Sequence, residues 1–135
     1  PKRKQYTPTG TVISGLGEGR YYMSIPHYRE QFDNLLGFVP FPGTLNIRLD
    51  PASIQAREEV EHIEWFEIPG FTADERTFGG VRALPCRIRG NECAMVEPSR
   101  THYPTDIVEV ISELELRKIL NLNDNDAIEV EICHD

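Results

Sequence analysis

The sequence predicts a mainly β domain, and three observations predict it. Short segments in which apolar and polar residues alternate recur along the chain, ten prolines and ten glycines punctuate them, and helical periodicity is sparse. Many short strands separated by turn formers argue for a barrel or sandwich, with a few short helices decorating it or plugging its ends. The 135 residues suit one domain and suffice to bury roughly two-thirds of the surface the unfolded chain exposes. They are too few for a (β/α)8 barrel.

Taken in order, strands are expected over 9–14, 44–49, 62–68, 86–88, 93–96, 107–111 and 127–132, each rich in β-branched or aromatic residues. In the second of these, Leu45, Ile47 and Leu49 share one face while Thr44 and Asn46 project from the other. Gly90-Asn91 is a good two-residue turn, so Cys86 to Val96 reads as a hairpin with its two cysteines facing each other. In a reducing compartment these two behave as small hydrophobes. Helices are expected over 28–36, over 51–59 and over 114–120 behind Ser112 as a cap. The Asn/Asp run 121–126 fails as a calcium loop. Aligned from Asn121, position six is Asp126 instead of Gly and position twelve is Ile132 instead of Glu, so the run is a turn before the last strand.

Charge narrows the function classes. Lys plus Arg number 14 against 22 Asp plus Glu, and the net charge of -8 disfavours general attraction to nucleic acid or anionic membranes. A phosphate-bearing ligand must therefore be held locally. Cys86, Cys93 and Cys133 make neither a CxxC pair nor an even secreted framework, which points to a reducing compartment, with the cytoplasm as the default. No apolar run approaches the ~18 residues of a membrane span. His27, His62, His102 and His134 lack zinc spacing. Residues 1–9, opening on Pro1-Lys2-Arg3-Lys4, are expected to be a tail or linker remnant ahead of a domain over 10–135.

Four places carry candidate chemistry. Gly15-Leu16-Gly17-Glu18-Gly19-Arg20 follows a strand, and its glycines let backbone N–H groups approach an anion. The G-x-G-x-G spacing is neither a Walker loop nor the dinucleotide fingerprint, and a plain hairpin is the competing reading. Thr44 and Asn46 offer a hydroxyl and an amide carbonyl, hard neutral oxygens of the kind Mg²⁺ accepts while keeping waters and recruiting phosphates. Glu109 is the one carboxylate in Ile107-Val108-Glu109-Val110-Ile111, so it sits at a rim, is paired, or meets a polar ligand. The aromatic, glycine-rich stretch 70–81 must pack on its own core or on a flat ligand.

Together these pieces resemble the archaeal-type CTP-dependent riboflavin kinases. The resemblance runs from about Gly10 to the carboxyl end and rests on Thr11 to Gly19, Tyr22-Met23-Ser24, Leu36-Gly37-Phe38 to Asn46, Phe78-Gly79-Gly80-Val81, Arg100-Thr101-His102-Tyr103, Ile107-Val108-Glu109 and Leu116-Arg117. It implies a compact six-stranded cradle-loop barrel and the reaction of CTP with riboflavin to give CDP and FMN. Carried over by position, Gly15, Leu16, Gly17, Glu18, Gly19 and Arg20 would hold the nucleotide, with Leu114, Glu115, Leu116 and Arg117 opposite. Thr44 and Asn46 would hold one Mg²⁺ ion, and Thr101 and Glu109 would contact the flavin. Glu109 is the candidate base for the ribityl 5′-hydroxyl. A winged-helix domain amino-terminal to this segment is a further implied partner. Two rival readings are a non-catalytic flavin- or nucleotide-sensing module on the same barrel and a DNA-binding β-barrel regulator.

Overall fold

The computed structural model describes residues 4–14, 23–99 and 106–134. In chain order its elements are β1 (Lys4–Tyr6), β2 (Thr9–Ile13), α1 (Pro26–Leu36), β3 (Leu45–Leu49), α2 (Pro51–Val60), β4 (Phe66–Ile68) and β5 (Phe71–Ala73). There follow β6 (Arg76–Phe78), β7 (Val81–Ile88), β8 (Asn91–Pro98), β9 (Ile107–Ile111), α3 (Leu116–Ile119), β10 (Ala127–Glu129) and β11 (Ile132–His134). Seven strands form an antiparallel sheet in the order β10-β2-β3-β9-β8-β7-β4.

The mainly β class with a few short helices is the expected one. The sheet itself has seven strands where a six-stranded barrel was expected, and it is not closed by a continuous ladder. Beyond β10 the chain returns to β7 through one isolated bridge among the described residues, in which Arg87 and Glu131 exchange N–H···O bonds of 2.8 Å. The physical reason lies in the expected final strand, which divides among three partners. Residues 127–129 pair with β2, Glu131 bridges to Arg87, and β11 turns away to pair with β1, which lies inside the segment 1–9.

Alternation along β7, β8 and β9 supplies two cores from one sheet. Leu84, Cys86, Ile88, Cys93, Met95, Val108 and Val110 pack with the apolar face of β3 in one cluster. Ala83, Ala94, Val96 and Ile111 point the other way, onto Tyr28 and Phe32 of α1. Strands covered on both faces lose polar alternation. That is why the predicted stretches 86–88 and 93–96 are only the middles of two eight-residue strands.

Turns differ from expectation where side chains compete for the backbone. The β7–β8 turn is Arg89-Gly90, not Gly90-Asn91: both central residues are left-handed (φ 48° and 80°), as a twisted two-residue hairpin needs, and Asn91 pairs with Ile88. Cys86 and Cys93 do face each other, as thiols with sulfurs 3.2 Å apart, and burial pushes the Cys86 thiol well up. The strand expected over 62–68 shrinks to β4 because Trp65 turns into the core and its Nε1–H donates to the Val60 carbonyl (2.8 Å). The stretch 70–81 makes its own hairpin, β5–β6, with left-handed Asp74 and Glu75 at the tip. Its aromatics pack on the protein: Phe71 stacks with Phe78 (4.6 Å between centroids) and with His27 at the start of α1 (4.0 Å).

Candidate functional site

The loop before β3 is held from the far end of β9. The Phe41 N–H donates to the Ser112 carbonyl (2.7 Å), and the Gly43 N–H closes back onto the Phe41 carbonyl (2.8 Å). Ser112 was expected to cap a helix over 114–120. Instead its buried hydroxyl donates to the Glu92 carbonyl and accepts from the Leu114 N–H (3.2 Å), so residues 112–115 form a turn and α3 covers only Leu116–Ile119. Two prolines and two backbone bonds thus deliver Thr44 to the strand start in one orientation.

Register then assembles the chemistry. On the face of the sheet that carries Ile111 and Val96, cross-strand partners run Val96, Glu109, Asn46 and Ile13 over β8, β9, β3 and β2. Asn46 and Glu109 are directly opposite each other, and each is only 4% exposed. Thr44 Oγ1 lies 3.3 Å from Asn46 Oδ1 and 3.5 Å from Glu109 Oε1. Thr44 Oγ1, just ahead of β3, is thus approached by one oxygen from each of two strands. Ile13, at the end of the row, is one residue from Ser14 and two from the first residue of the glycine loop.

Thr44 also lies on the wall of a cavity of about 350 Å³. Thr44 and Gly43 line one side, Leu114, Glu115, Leu116 and Arg117 another. Leu114 is 44% exposed there. The four residues expected to face the nucleotide thus share one cavity with Thr44, one of the two expected to hold metal, while Asn46 and Glu109 adjoin Thr44 from the strand face opposite the lining residues Leu45 and Val110. Gly15 to Arg20 and Thr101 lie outside the described residues.

The oxygen set is of the kind that takes Mg²⁺. Adjacent ligands of an octahedral Mg²⁺ lie about 3.0 Å apart, so the separations at Thr44 need contract by only a few tenths of an ångström. Among the described residues no group of three His, Cys, Asp or Glu side chains could hold a metal, and the oxygens that gather at Thr44 are a hydroxyl, an amide carbonyl and a carboxylate. Such a set leaves coordination positions for water and phosphate.

One carboxylate near this site had no role in the sequence reading. Asp124, in the run 121–126, accepts from Ser14 Oγ (2.6 Å) and from Arg117 Nη1 (2.9 Å). Those hydrogen bonds, first from Ser14 and then from Arg117, hold its carboxyl below the usual range. In the sequence it was one of several turn-forming Asn and Asp residues, with nothing to single it out.

The family model for CTP-dependent riboflavin kinase, described as "Domain of unknown function DUF120", matches residues 12–132. The chain belongs to this family. Relatives called riboflavin kinase include one from Methanoculleus marisnigri, 71% identical over 135 residues, which is 100% of this chain and 61% of the relative. Another, from Methanocorpusculum labreanum, is 53% identical over 131 residues, 97% of this chain and 59% of the relative. A third, from Pyrobaculum aerophilum, is 52% identical over 123 residues, 91% of this chain and 59% of the relative. The chain thus spans about three-fifths of the length of these curated relatives. Among the described residues no helix is long and apolar enough to cross a membrane.

Proposed function

We propose that this domain transfers the terminal phosphate of CTP to the ribityl 5′-hydroxyl of riboflavin, giving CDP and FMN. The observation that carries the reading is the approach of Asn46 and Glu109 to Thr44, which itself lines the cavity formed with Leu114 to Arg117. Family membership and the names of the relatives support the substrate pair.

Phosphoryl transfer asks a protein for positioning and charge neutralisation more than for covalent chemistry. Thr44 Oγ1 and Asn46 Oδ1 would hold Mg²⁺. There it would supply positive charge against the negative charge that develops on the transferring phosphate. The glycine loop Gly15 to Arg20 would offer backbone N–H groups to the phosphate oxygens, and Arg117 a guanidinium from the facing side. As the 5′-oxygen of riboflavin forms its bond to the terminal phosphorus, the bond from that phosphorus to the CDP oxygen breaks. The proton of the attacking hydroxyl passes to a base, for which Glu109 is the candidate. Thr101 and Glu109 would contact the flavin. Cytosine presents an exocyclic amine donor where uracil presents an acceptor, so backbone carbonyls around Leu114 to Leu116 would select CTP.

Incubation with riboflavin, Mg²⁺ and each nucleoside triphosphate in turn, followed by detection of FMN, tests the reading. FMN is expected with CTP and far less with UTP. Equal turnover of UTP would remove the cytosine-selection proposal, and no FMN with any donor would leave the sensor reading in place. We place the reaction in the cytoplasm, and a winged-helix domain ahead of this segment stays part of the proposal.

A further inference from the structure

We propose that Asp124 is a positioning residue for the nucleotide, a clasp that ties the root of the glycine loop to Arg117; this rests on the riboflavin kinase reading above. Its two carboxylate oxygens go to two different partners. Oδ2 accepts from Ser14, the residue immediately before the loop, and Oδ1 accepts from Arg117, which lines the cavity beside Thr44. The two partners have no sequence proximity to each other. Only the turn 121–126 brings them to one carboxylate.

That turn is itself anchored on both sides. The Val12 N–H donates to the Asp126 carbonyl (2.9 Å) and the Asn125 N–H to the Val12 carbonyl (2.7 Å), which fixes it to β2 just ahead of Ser14. The Leu122 N–H donates to the Arg117 carbonyl (2.8 Å), which fixes it to α3, and the Asn123 N–H is taken by Asp126 Oδ2 (2.7 Å). Left-handed Asn121 (φ 51°) and Asn125 (φ 74°) permit so tight a path. Asp124 is thus presented by a turn bonded to both β2 and α3.

An exposed ion pair contributes little to stability. Its effect here is geometric: a guanidinium carries five N–H donors in a fixed plane, and engaging Nη1 orients the remaining donors without exhausting them. Ser14, held at the same carboxylate, immediately precedes Gly15 in the sequence. Loss of the clasp frees both groups to wander, and the cost falls on the nucleotide, not on the flavin.

The experiment is steady-state kinetics of the whole chain with CTP and riboflavin varied separately, together with calorimetric titration of CDP. Asp124→Ala is expected to raise the KM for CTP and weaken CDP binding about tenfold while the KM for riboflavin and the thermal midpoint hold. Asp124→Asn keeps the shape, removes the charge, and serves as the second variant; it should also weaken CDP. Combining Asp124→Ala with Arg117→Ala should cost little more than Arg117→Ala alone, since both break one unit. An unchanged KM for CTP in an active Asp124→Ala enzyme, or equal losses for both substrates in step with a lowered midpoint, overturns the clasp. A wild-type chain that makes no FMN overturns the kinase reading instead, and the CDP titrations then decide the clasp by themselves.

Discussion

Asn46 concentrates most of the proposed chemistry into one side chain. It is 4% exposed, faces Glu109 across the β3–β9 ladder, and lies within 3.3 Å of the Thr44 hydroxyl. Burying an amide and a carboxylate together is costly unless each has partners, so the fold tolerates the arrangement only where the polar atoms are used. Asn46→Ala removes one proposed metal oxygen and leaves the strand backbone in place. Turnover should fall at least tenfold, about 1.4 kcal/mol of lost transition-state stabilisation. The check is kcat at saturating CTP and Mg²⁺ beside a melting curve, and a folded variant with an unchanged rate would remove Asn46 from the site.

Helix α2 meets the sheet through charge as well as through its buried Val60. Arg57 pairs with Glu61 (2.6 Å) and with Glu97; Arg82 pairs with the same two carboxylates (2.6 and 3.1 Å) and lies 4.0 Å over the Trp65 ring. Burial works to raise the Glu61 carboxyl, but the hydrogen bond from Arg57 and the charges of Arg57 and Arg82 together outweigh it and leave it lowered. A carboxyl lowered in the folded state stabilises above the unfolded value, about pH 4.3 for Glu, and that stability is lost as pH falls through the folded value. Since Glu61 is 42% exposed, screening keeps the contribution under about 1 kcal/mol. Urea denaturation of Glu61→Gln against wild type should therefore show a deficit at pH 7 that shrinks as pH falls below about 4.3; a deficit independent of pH would assign the effect to packing.

At the scale of the molecule, β7, β8 and β9 serve both apolar clusters, with Met95 and Val108 on one side and Val96 and Ile111 on the other. Neither cluster can dissolve without exposing a strand the other needs, so the two should unfold as one unit. Trp65 reports on the first cluster and the helix α1, carrying Tyr28 and Phe32, on the second. Trp65 fluorescence and far-ultraviolet circular dichroism are expected to share one thermal midpoint; separated midpoints would mean that the α1 layer melts independently.

Local pattern sufficed for much of this fold. Val12, Leu45, Ile47, Leu49 and Ile111 announced their strands because period-two alternation is a property of the chain itself, and Pro51 announced a helix start because its fixed backbone suits the first helical turn, whereas the helix expected from Tyr28 begins two residues earlier, at Pro26. The side-by-side placement of Thr44 and Asn46, and the isolation of Glu109 among apolar residues, were equally legible. Their convergence was not visible in spacing alone, because it depends on which strands pair and in what register: Asn46 opposite Glu109 and Ile13 opposite Asn46 are facts of the sheet, not of either segment. The same holds for the short reach of β4, the division of the last strand among three partners, and the turn at Arg89-Gly90. Asp124 is the sharpest case. A turn-forming carboxylate has no distinguishing neighbours in sequence, and only the tertiary fold brings Ser14 and Arg117 to its two oxygens.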